Sequence, residues 1–184
     1  VQGNLPGVTY DETEYTVTVE VSDNGDGTLN VVASDNFEAL DFTNTYAATG
    51  STQFACTKTL TGKTLEAGQF SFELVGADGN VIETVTNAAD GSFSFAALKY
   101  DLDDAGQTFT YTVREVQGNL PGVTYDETEY TVTVEVSGNG DGTLTVTASN
   151  NFEALDFTNT YAAKGEVQFS GAKILTGKAL EAGK

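Results

Sequence analysis

The chain has 184 residues, with 27 acidic against 8 basic ones and a formal net charge of -19. That balance argues against nucleic acid and against an anionic membrane surface, both of which attract Lys and Arg. With no His and a single cysteine, Cys56, the sequence excludes a Ser–His–Asp triad, His-based metal sites and an internal disulfide.

The hydrophobic content of 39% is enough for a core. No apolar run is long enough to cross a bilayer. No secretion signal is recognisable at Val1, and the chain reads as a fragment of a mature protein.

A long internal repeat sets the organisation. Val1–Val21 returns unchanged at Val116–Val136, an offset of 116 − 1 = 115. Asn36–Ala48 returns at Asn151–Ala163, and Lys58–Gly68 returns with two changes at Lys173–Gly183. Residues 1–47 therefore read as the C-terminal part of one repeat and 48–163 as a complete repeat. Residues 164–184 read as the N-terminal part of the next.

Within the complete repeat nearly every segment alternates with period 2, the strand signature. The first strand carries Phe54, Cys56, Lys58 and Leu60 in one phase. Phe70, Phe72 and Leu74 follow, then Phe93 and Phe95. Leu98–Gln107 is expected to hold a short helical turn. Next come Phe109, Tyr111 and Val113, then Tyr130–Val136, Leu144–Ala148 and a last strand with Leu155, Phe157 and Tyr161. Turn residues such as Ala77-Asp78-Gly79-Asn80 separate the runs. The expected fold is all-β, with tandem immunoglobulin-like antiparallel β-sandwich domains.

Three polar residues fall in the inward phase. Lys58 shares a face with Cys56 and Leu60, Glu115 with Tyr111 and Val113, and Asn159 with Phe157 and Tyr161. An unpaired buried charge costs several kcal/mol, so the three are expected to meet. The partial repeats keep the phase at Asn44 and at Lys173.

Two arrangements satisfy such a trio. One is a buried Lys–Glu ion pair capped by the Asn, or strand-end residues in contact with water. The other is covalent. A desolvated lysine turns toward the neutral, nucleophilic amine, and a desolvated carboxyl toward its protonated form. Lys58 then attacks Cγ of Asn159, Glu115 shuttles protons, and ammonia leaves. Lys63, in the turn after Gly62, is a weaker candidate nucleophile.

The motifs resemble the isopeptide-linked repeats of Gram-positive pilins and surface adhesins, in particular the streptococcal major-pilin type. They are Lys58-Thr59-Leu60-Thr61-Gly62, Gly68–Leu74, Tyr111–Val116, Tyr130–Val136 and Phe157-Thr158-Asn159-Thr160-Tyr161. The resemblance implies an immunoglobulin-like fold, a Lys58–Asn159 isopeptide bond and Glu115 as the assisting acid. It implies a structural, load-bearing stalk or pilus-like protein on the Gram-positive cell wall, with neighbouring repeats as partners and no cofactor. A host ligand would be held through a distal domain. A repeat that itself binds host glycan or matrix protein is the competing reading. Self-crosslinking acts once per molecule, so the chain is not expected to be an enzyme.

Two smaller features have plainer readings. Asp23-Asn24-Gly25-Asp26-Gly27 lacks the ligand spacing of a calcium loop and reads as a hairpin turn. Cys56 corresponds to Gly171 in the next copy, so the repeat does not require it.

Overall fold

The computed structural model describes residues 2–34, 40–149, 155–179, 181 and 182. Two β-sheets enclose the core. One has five antiparallel strands in the order β14 (Leu144–Ala148), β13 (Glu129–Gly138), β11 (Thr108–Glu115), β7 (Ser71–Gly76) and β8 (Val81–Thr86). The other has four, in the order β12 (Val123–Thr124), β15 (Asp156–Tyr161), β6 (Ala55–Thr61) and β9 (Ser92–Ser94). A short pair, β5 (Gly50–Thr52) with β10 (Leu98–Tyr100), borders the sandwich.

Period-2 chemistry becomes burial directly. Along β6 every second residue is buried, beginning with Cys56 and continuing through Lys58 and Leu60. β15 does the same with Phe157 and Asn159. Aromatic rings join the sheets: Phe72 of β7 stacks on Phe93 of β9 with centroids 3.8 Å apart, and Phe157 of β15 leans on both. Fully buried aromatic and aliphatic side chains supply most of the stabilisation, about 1.5–3 kcal/mol each relative to exposure. The expected helical turn is one 3-10 turn, Leu102–Asp104, capped by the Asp101 side chain.

Among the described strands, one pairing departs from the antiparallel expectation. β15 runs parallel to β6, with Phe157 opposite Lys58 and Asn159 opposite Leu60. The first long strand of the sandwich and its last are thus hydrogen-bonded neighbours pointing the same way.

The first sequence copy forms two small ladders. β1 (Val8–Thr9) pairs with β4 (Thr45–Tyr46), and β2 (Val19–Asp23) pairs with β3 (Leu29–Ala33). Val19, Val21 and Phe42 are more than half exposed, whereas their counterparts Val134, Val136 and Phe157 are buried at 0%, 2% and 0%. The difference is contextual: in the second copy, residues 54–115 supply the strands that cover those faces. Residues 164–179 carry no strand, and Phe169 and Lys173 are exposed.

Candidate functional site

Lys58, Glu115 and Asn159 converge in the core from three strands and two sheets. Lys58 lies mid-β6, Glu115 ends β11, and Asn159 lies on β15. Glu115 is opposite Phe72 of β7, which faces the sandwich interior. All three are buried, Asn159 fully.

The carboxylate bridges the other two. Lys58 Nζ donates to Glu115 Oε2 at 2.7 Å, and Asn159 Nδ2 donates to Glu115 Oε1 at 2.6 Å. The rings of Phe70 and Phe72 lie 4.8 and 5.8 Å from the ammonium. Those rings keep water off the amine. Burial pulls the Lys58 amine below the ordinary lysine range, outweighing the opposing pull of Glu115 and the weaker one of Asp126.

Two participants escaped the sequence reading. The Asp126 backbone N–H donates to Asn159 Oδ1 at 2.7 Å, so the carboxamide oxygen points at a fixed donor. The Asp126 side chain is itself held: it accepts from the Thr158 and Thr128 backbone N–H groups. Burial pushes the Asp126 carboxyl up, but the hydrogen bonds from Thr128 and Thr158, with the nearby Lys58 charge, bring it below the usual aspartate range. Asn87 is the other. Its carbonyl accepts from Phe70 N–H and its amide donates to Glu66 O and Ala88 O, which positions the Phe70 ring beside Lys58.

The partial copy repeats half of this arrangement. Asp11 N–H donates to Asn44 Oδ1 at 3.0 Å, and Asp11 Oδ2 accepts from Thr43 N–H. The Asp–Asn geometry thus forms where neither the lysine nor the glutamate is present. It is a property of the local fold rather than a consequence of the buried charges.

The remaining candidates lie elsewhere. Lys63 Nζ sits 5.6 Å from the Tyr161 ring, away from the cluster. Lys173 is exposed. Cys56 is buried, and desolvation, with a smaller contribution from Asp156, pushes its thiol up to about 12. Among the described residues no group of three or more Cys, Asp or Glu side chains could hold a metal ion. The Asp23–Gly27 segment closes the β2–β3 hairpin, as its turn residues predict.

A two-sheet sandwich with Lys, Glu and Asn buried between its sheets has the architecture of a pilin-type structural domain. A family profile described as FctA, Spy0128-like isopeptide containing domain, matches residues 1–47 and 54–162, and the chain belongs to that family. Its members are structural proteins of extracellular surface assemblies. No curated protein matches the chain. No helix among the described residues is long and apolar enough to cross a membrane.

Proposed function

We propose that the chain is a segment of a load-bearing stalk on a Gram-positive cell wall, in which residues 48–163 form one complete repeat. Each complete repeat ties its first long strand to its last by an amide between Lys58 and Asn159. The observation that carries this reading is the single carboxylate of Glu115, hydrogen-bonded to both the amine and the carboxamide.

The chemistry balances without any other reagent. Glu115 Oε2 takes a proton from Lys58 Nζ, leaving a neutral amine. The amine attacks Asn159 Cγ, and negative charge moves onto Oδ1, where the Asp126 N–H stabilises it. Glu115 Oε1 returns that proton to Nδ2, and Oε2 then takes a second proton from Nζ, so the new amide nitrogen keeps one and Glu115 ends protonated. The Cγ–Nδ2 bond breaks and ammonia leaves. Folding supplies the proximity that an enzyme would otherwise provide.

The parallel pairing makes the amide mechanically useful. Tension along an array enters at the start of β6 and leaves at the end of β15. Two parallel neighbours pulled from opposite ends load all their shared hydrogen bonds together. A covalent tie between them carries force past the core. Pulling single molecules by their ends tests this. The 159 − 58 = 101 positions between the tied residues, at roughly 3.3–3.6 Å each, hold about 35 nm of contour. That length should never be released in the parent and should be released in Glu115→Ala. Release in both would contradict the load-bearing role.

A further inference from the structure

The junction between the two sequence copies has no free linker. β4 ends at Tyr46 and β5 begins at Gly50, and each residue between is secured. Ala47 N–H donates to Gly7 O at 2.9 Å. Ala48 is buried in the core of the second copy. Thr49 N–H donates to Gly142 O at 3.3 Å, Leu144 N–H donates to Thr49 O at 2.9 Å, and Thr49 bridges Thr143.

The contact rests on the β13–β14 turn of the second copy. Gly142 N–H donates to the Tyr46 hydroxyl at 3.1 Å, and Gly142 meets Gly7 at backbone distance. A Cβ on Gly142 would lie 2.6 Å from Gly7 Cα, and the residue also has φ +85°, so it is glycine for two reasons. A Cβ on Gly50 would run into Val146 and Leu144 of β14.

The same parts recur where no neighbour is seated. Gly142 corresponds to Gly27, whose turn keeps the same bonds: Asn24 N–H to Thr28 O at 3.1 Å, against Asn139 N–H to Thr143 O at 3.2 Å. Open space surrounds Gly27. At the other end, Gly7 and Tyr46 correspond to Gly122 and Tyr161. Ala162 N–H donates to Gly122 O at 2.8 Å, as Ala47 does to Gly7. Both halves of the contact are therefore shaped before they meet.

We infer that consecutive repeats are held at a fixed angle by a backbone clasp. In it, the Gly7–Tyr46 end of one copy grips the Gly142 turn of the next, and the Gly122–Tyr161 surface is the docking site for the same turn of a further copy. This deepens the stalk reading and does not depend on the amide. An array jointed in this way resists bending between domains as the crosslink resists extension within them.

Amide hydrogen exchange on the 184-residue chain tests it. The Thr49 amide should be protected in the parent. In Gly142→Val it should exchange at least about tenfold faster, with Val132 and Val134 still protected as proof of folding. Gly27→Val strains the equivalent turn without touching the junction and should leave Thr49 unchanged. Tyr46→Phe should accelerate Thr49 without straining any turn. A Thr49 amide that exchanges like unstructured peptide in the parent, a Thr49 amide that Tyr46→Phe leaves unchanged, or equal effects of Gly27→Val and Gly142→Val would each overturn the clasp. Intact mass read on the same samples reports the amide separately.

Discussion

Glu115 is the residue whose environment decides the chemistry of the core. It accepts from two donors, and each donor would be orphaned without it. Replacing Glu115 by Ala leaves a buried ammonium, and removing one partner of a buried charge pair typically costs about 3–5 kcal/mol. Lys58→Ala strands the carboxylate and should cost a similar amount. Glu115→Ala combined with Lys58→Met should recover much of the loss, which denaturant titration of the two variants would show. Recovery without amide formation would separate the stabilising role of the trio from its reactivity.

Asp126 gives a prediction in pH. Its folded carboxyl lies below the ordinary value of 3.8, so it contributes stability above that value. The contribution is lost as pH falls through the depressed folded value. Acid unfolding should therefore begin at higher pH, and depend less steeply on pH below 3.8, in Asp126→Ala than in the parent. An unchanged acid limb would show that the Thr128 and Thr158 bonds do not hold the carboxylate.

At the level of strands, much was legible in the sequence, for a definite reason. Period-2 alternation assigns each side chain to a face, and it put Lys58, Glu115 and Asn159 inside from Cys56, Val113 and Phe157 alone. Alternation does not say which strands are neighbours. The parallel β6–β15 pairing therefore could not be read from it, although it brings Lys58 and Asn159 onto adjacent strands. The Asp126 contribution was invisible for another reason, since a backbone N–H leaves no residue signature. Its one trace was the Asp-Glu-Thr run at Asp11–Thr13 and Asp126–Thr128, where the Asp carboxylate accepts from the Thr N–H two residues on.

β6 also depends on a single close approach. Gly91 O accepts from Lys58 N–H at 2.8 Å, and a Cβ on Gly91 would lie closer to the Lys58 carbonyl oxygen than real side chains permit. Gly91 has φ +89°, so a side chain there is strained as well as crowded. Gly91→Ala should destabilise the sandwich by more than about 1 kcal/mol. It should also slow amide formation by shifting Lys58 along its strand. A time course of mass change after refolding would detect this; a rate equal to the parent's would show that Lys58 holds its place without that contact.

For the whole molecule, identical sequence has different fates in its two copies. Val134 is sealed in the core while Val19 is not, because burial depends on strands contributed from elsewhere in the repeat. The proposed Lys58–Asn159 amide would span nearly all of residues 48–163. A tie across 101 positions removes loop entropy worth roughly 4–5 kcal/mol from the unfolded chain. Denaturant titration should place the parent above Asn159→Ala by at least that amount, since the variant also loses a buried hydrogen bond. Equal stability would mean that no tie exists. The net charge of -19 favours solubility over general association.

Intact mass of the purified parent beside Glu115→Ala tests the central claim most directly. Formation of the Lys58–Asn159 amide expels one ammonia, so the parent should fall about 17 Da below its calculated mass while the variant matches its own. A parent at full calculated mass would contradict the crosslink and leave Lys58, Glu115 and Asn159 as a buried hydrogen-bonded network.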